Sequence, residues 1–129
     1  MFELRVISHF AAAHQLKMVD SKCENLHGHN WTVEVCIRGN QVNEAGVLVD
    51  FGEIKQKVNV IVEKLDHHFL NDIEGFGDSF PPSSENIAYY IANQLEQSFQ
   101  SATAVVHSVT TWESHNASAT YFPDHTIKA

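Results

Sequence analysis

The chain has 129 residues, 43% of them hydrophobic and 19% charged, and a formal net charge of −8. This suits one globular domain over residues 1–129 that buries a core without disulfide support, and it excludes a disordered chain. Eight scattered Lys and Arg residues exclude a phosphate-backbone surface, so no nucleic-acid partner is expected; no apolar run approaches the ~20 residues of a membrane span.

The opening "MFELRVISHF" lacks the charged-then-apolar order of a signal peptide, so a cytoplasmic protein is the default expectation. Cys23 and Cys36 are too few for a disulfide scaffold and would remain thiols in a reducing compartment. Residues 2–10 are rich in β-branched and aromatic types and predict a first strand. Residues 31–38, "WTVEVCIR", alternate cleanly: Trp31, Val33, Val35 and Ile37 share one face, and Thr32, Glu34, Cys36 and Arg38 the other.

After a turn-rich connection, Asp50 predicts a helix N-cap, with Glu53 at the third helical position of a variant capping box. The helix at about 51–65 offers Ile54, Val58, Ile61, Val62 and Leu65 as its core stripe. A loop containing Gly75, Gly77, Pro81 and Pro82 leads to a second helix, capped by Ser84 and spaced by Ile87, Ile91 and Leu95. Two closing strands are predicted at roughly 103–113 and 118–123. The order ββααββ predicts an α+β domain, an antiparallel sheet with two helices on one face. Such a sheet presents edges, and association is one way to cover them.

Nine histidines are the compositional oddity. In extended chain, residues two apart point to the same side, so His27 and His29 of "HGH" can converge on one ion, and Gly28 lets the backbone approach. His14, after "FAAA", can supply a third nitrogen from a neighbouring strand. Three histidines leave a fourth position open, as in catalytic zinc sites. Cys23, four residues before His27, would either close the site as a structural ligand or act as an activated thiolate beside the cation. Spacing leaves both possibilities open. Cys36, inside an alternating strand, reads as a small buried side chain. In "LDHHFLND", Asp66 can orient and charge-tune the imidazole of His67, or be a helix-end polar residue beside a solvated His68. Glu113 ends an otherwise apolar, Thr-rich strand.

Taken in order, "FAAAH", "CENLHGH", "LDHHFLND", "SSEN" and the strand-end Glu113 form a set. That set closely resembles the 6-pyruvoyl-tetrahydropterin synthase family, and especially its bacterial branch, the 6-carboxy-5,6,7,8-tetrahydropterin synthases of queuosine biosynthesis. The likeness covers about residues 8–122. It implies a zinc ion held by His14, His27 and His29, a catalytic thiol at Cys23, and an activating pair, Asp66 and His67, typically reaching across a subunit boundary. It also implies that Glu113 anchors the pterin ring and that Ser83 and Ser84 line its pocket, Ser83 standing where the family has Thr. "SHNAS" after Glu113 departs from the family pattern and leaves His115 without a role.

The family resemblance further implies the tunnelling fold (T-fold), its barrel completed by a homo-hexamer built as a dimer of trimers. The implied substrate is a pterin triphosphate, 7,8-dihydroneopterin triphosphate. The product is either a 6-carboxy-tetrahydropterin, formed with loss of acetaldehyde, or the 6-pyruvoyl compound of tetrahydrobiopterin synthesis. The net negative charge requires a local basic patch for the triphosphate, with Lys17 and Lys22 as candidates. A reading of another class is a non-enzymatic, zinc-stabilised binding module in which Cys23 and the three histidines close the ion.

Overall fold

A computed structural model describes residues 1–17 and 25–124. Two long strands, β1 (Phe2–His14) and β2 (His27–Gly39), pair antiparallel along their whole length, from Phe2 opposite Gly39 to His14 opposite His27. Both run beyond the residues expected, 2–10 and 31–38, at the end where the histidines lie. The HGH motif is therefore part of β2 rather than its approach. In chain order follow α1 (Phe51–Leu65), a two-residue strand β3 (His68–Phe69), α2 (Ser84–Ser98), β4 (Ala104–Ser114) and β5 (Ala117–Tyr121). The sheet order is β3-β1-β2-β4-β5.

The expected ββααββ order is present as an α+β fold, with one difference. β3 adds a short edge and runs parallel to β1, pairing Ala12 with His68 and Ala13 with Phe69. No alternation could announce a strand of two residues. It forms because the chain leaving α1 is pinned to the edge of β1, with the His67 N–H donating to the Ala11 carbonyl at 2.6 Å. Just beyond, the Asn71 side chain clasps the Gln15 backbone, accepting from its N–H at 3.0 Å and donating to its carbonyl at 2.8 Å.

The expected stripe of α1 (Ile54, Val58, Ile61, Val62 and Leu65) is buried in full. The Asp50 carboxylate caps the helix by accepting from the Gly52 N–H at 2.9 Å. The α2 cap is Ser83, one residue before the expected Ser84: its hydroxyl accepts from Asn86 N–H at 3.2 Å. Adjacent serines are locally equivalent as caps. The choice is made by Asn86, whose side-chain amide donates to the Pro81 carbonyl at 2.8 Å and fixes the first turn one residue earlier. Both helices pack on the sheet face carrying Phe10, Trp31, Val33, Val35 and Ile37, α1 against β1 and α2 against β4 and β5. Trp31 is fully buried, and its indole N–H donates to the Ala12 carbonyl at 3.3 Å. Burying a side chain of that size stabilises by roughly 2–3 kcal/mol or more. The opposite face is polar, with Arg38 donating to Glu3 at 2.8 Å and Arg5 3.7 Å from Glu34. Among the described residues no helix is long and apolar enough to cross a membrane.

Candidate active site

The paired ends of β1 and β2 bring His14 directly opposite His27, with His29 two residues further along the same face of β2. Nε2 of His14 lies 3.1 Å from Nε2 of His27. His14 is completely buried, and its ring meets Trp31 edge-on at 5.2 Å, as His29 does at 5.3 Å. Each of the first two rings is oriented from behind by a backbone carbonyl. His14 Nδ1 is 2.8 Å from the Pro82 oxygen, just before α2, and His27 Nδ1 is 2.7 Å from the Asn25 oxygen.

A carbonyl only accepts, so both Nδ1 atoms carry protons and donate. In neutral rings the two Nε2 atoms then face each other as lone pairs, and a metal cation or a proton between them relieves the repulsion. Glu113 adds a third acceptor, its Oε1 lying 3.3 Å from His14 Nε2 and 3.2 Å from His29 Nε2. One ligand atom from each of His14, His27, His29 and Glu113 lies within 4.8 Å of all the others, so this group could hold a metal ion. Three imidazoles, two of them oriented by carbonyls, and a carboxylate are a fitting donor set for a borderline divalent ion such as zinc.

Sequence reasoning places Glu113 at a strand end but misses its approach to the histidines. The β4–β5 register shifts between Trp112 and Ser114, so Glu113 stands at a bulge. Bulges next to sites re-aim a side chain, and only strand pairing reveals them. Two orienting contacts, the Pro82 and Asn25 carbonyls, are equally invisible from residue types.

The Asp66–His67 pair lies at the end of α1. Asp66 Oδ1 accepts from the Ala11 N–H of β1 at 2.9 Å, while Oδ2 is 3.5 Å from His67 Nε2. His67 holds a left-handed backbone, φ 59, which directs an imidazole that is 82% exposed outward. His67, its neighbour His68 and His29 border one open cavity of about 460 Å³ floored by Ala11, Ala13 and Gly28. His68 Nδ1 is held 2.7 Å from the Asp66 carbonyl. A non-glycine residue at positive φ carries strain of about 1 kcal/mol that glycine escapes. His67→Gly is therefore expected to raise stability by up to about 1 kcal/mol, read as a higher melting temperature. An unchanged or lower melting temperature refutes the strain.

Cys23 and Lys22 lie outside the described residues, and Lys17 is exposed. The Ser83 hydroxyl is engaged as the α2 cap, and the Ser84 carbonyl accepts from the Thr111 hydroxyl at 2.7 Å, tying α2 to β4 next to the site. His115 lines a cavity of about 660 Å³ together with Glu113, His9, Thr32, Glu34 and Trp112.

A family profile described as 6-pyruvoyl tetrahydropterin synthase matches residues 3–124. The chain is 35% identical over 118 residues to the 6-carboxy-5,6,7,8-tetrahydropterin synthase of Synechocystis, covering 88% of this chain and 87% of that protein. It is 43% identical over 89 residues to a putative enzyme of the same name from Archaeoglobus fulgidus, covering 68% and 70%. Its fold superposes on the crystal structure of 6-pyruvoyl tetrahydropterin synthase from Plasmodium vivax with a TM-score of 0.79 and 27% identity, covering 95% of this chain and 98% of that one. The Caenorhabditis elegans structure of the same name, at 24% identity, matches in fold with a TM-score of 0.83 over 95% and 96%. With the profile spanning nearly every described residue and a relative aligned along most of both chains, this chain belongs to the 6-pyruvoyl tetrahydropterin synthase family.

Proposed function

We propose that this chain is a zinc-dependent lyase converting 7,8-dihydroneopterin triphosphate to 6-carboxy-5,6,7,8-tetrahydropterin, with release of acetaldehyde and triphosphate, a step supplying the queuosine precursor. The observation that carries this reading is the convergence of His14, His27, His29 and Glu113 within 4.8 Å. The Synechocystis relative, 35% identical over 88% of this chain, supports the carboxy product.

His14, His27 and His29 would hold the zinc, which when bound supplies Lewis-acid polarisation of side-chain oxygens. Glu113 would take the pterin ring, whose ring N–H and exocyclic amine form a two-donor edge suited to a carboxylate. Ser83 and Ser84, at the start of α2, would line the pocket. Cys23, as a thiolate, would move protons at the side chain, with Asp66 holding and charging His67 as its partner. The exposed His67 imidazole supports a site shared between subunits, and a homo-hexamer of two trimers is part of the same proposal. A cytoplasmic location belongs to the same reading.

The pyruvoyl product is the second reading. It is supported by the family description and by a Drosophila melanogaster 6-pyruvoyl tetrahydrobiopterin synthase that is 38% identical over 60% of this chain. Incubation of the zinc-loaded protein with dihydroneopterin triphosphate, followed by mass analysis, decides between them. The expected result is the carboxy-pterin with one acetaldehyde per turnover. A pyruvoyl product without acetaldehyde establishes the second reading, and unchanged substrate sinks both.

A further inference from the structure

We propose that His68 is a positioning residue: its imidazole donates to the Asp66 carbonyl and so holds His67, the residue between them, in the left-handed conformation that aims the His67 ring. The proposal rests on the pterin synthase reading above, in which His67 is the proton partner of Cys23.

The His67 ring is not aimed by a close contact of its own. Its Nε2 lies 3.5 Å from Asp66 Oδ2, too long for a firm hydrogen bond, and the side chain is 82% exposed. Its direction therefore comes from the backbone, where φ is 59. Asp66, just before it, is fixed to both neighbouring elements. Its N–H donates to the Val62 carbonyl of α1 at 2.9 Å, and its Oδ1 accepts from the Ala11 N–H of β1 at 2.9 Å. The Asp66 carbonyl is thus a fixed acceptor, and His68 Nδ1 stands 2.7 Å from it. A carbonyl only accepts, so this Nδ1 carries the proton and the contact closes a turn over His67. The His67 N–H is held by the Ala11 carbonyl at 2.6 Å, which fixes the start of the residue and leaves its far side to His68. One hydrogen bond contributes about as much as a left-handed non-glycine residue costs, so this contact is large enough to decide the conformation.

The test is steady-state turnover of dihydroneopterin triphosphate by the zinc-loaded full chain carrying substitutions of His68, whose exposed ring leaves the core untouched. In His68→Asn an amide N–H stands where Nδ1 was, in His68→Gln one stands where Nε2 was, and in His68→Ala there is neither. His68→Asn is expected to keep turnover within about threefold of wild type. His68→Gln and His68→Ala are expected to lose roughly 10–100-fold in kcat, the scale of a small misplacement of a reacting group, with KM and zinc content unchanged. Activity kept in His68→Gln and lost in His68→Asn overturns the proposal, because His68 would then act through Nε2. Equal activity in all three variants overturns it as well. Crystal structures decide the matter without turnover: His67 is expected to stay left-handed in His68→Asn and to leave that region in His68→Ala. A left-handed His67 in His68→Ala overturns the positioning whatever the substrate. A wild-type chain that leaves the triphosphate unchanged sinks the pterin reading alone.

Discussion

His29→Ala is expected to strip the metal from the protein and lower turnover by roughly 10³-fold or more, the worth of several kcal/mol of Lewis-acid stabilisation. The reason is geometric. His29 is one of three imidazoles converging on a single point, and Glu113 Oε1 sits 3.2 Å from its Nε2. Without that ring the site keeps His14 and His27, two nitrogens from paired strands, and one carboxylate. His29 is 24% exposed, whereas His14 is fully buried, so removing His29 disturbs the core less than removing His14. The variant should therefore fold, retain its circular dichroism and bind far less than one zinc per chain after dialysis. Zinc retained at wild-type stoichiometry and affinity means that the ion lies elsewhere.

Asp66 allows a second large effect to be separated into two parts. One carboxylate oxygen receives the Ala11 N–H of β1 at 2.9 Å; the other faces His67 at 3.5 Å. Asp66→Ala removes both contacts. It is expected to cost about 1 kcal/mol of stability, the lower end of the range because the side chain is 37% exposed, and about 10²–10⁴-fold in turnover. Asp66→Asn keeps a carbonyl oxygen for Ala11 but loses the carboxylate that faces the His67 imidazole. Its melting temperature should stay near wild type while turnover falls as far as in Asp66→Ala. Asp66→Asn with normal turnover would show that the carboxylate only fastens α1 to β1. Chemical denaturation and steady-state rates on the two variants give the comparison directly.

Much of this protein is legible along the chain because the relevant forces act over one or two turns. The stripe Ile54, Val58, Ile61, Val62 and Leu65 repeats at helical spacing and is buried as one face of α1. Trp31, Val33, Val35 and Ile37 alternate and lie together in the core. The two-residue spacing of His27 and His29 puts both imidazoles on one side of β2, and the ordered motifs point to the family whose profile the chain matches.

What the chain order could not decide are contacts between residues far apart in sequence. β3 exists because the Ala11 carbonyl holds the His67 N–H, and Asp66 is oriented by the Ala11 N–H, contacts spanning more than fifty positions. Ser83 rather than Ser84 caps α2 because Asn86 reaches back to Pro81. His14 presents Nε2 to the cluster because Pro82 holds its other nitrogen. Glu113 meets those nitrogens because β4 bulges against β5. Periodicity states which side chains share a face. Register and bulges state which faces meet, and they depend on hydrogen bonds between strands that no local pattern carries.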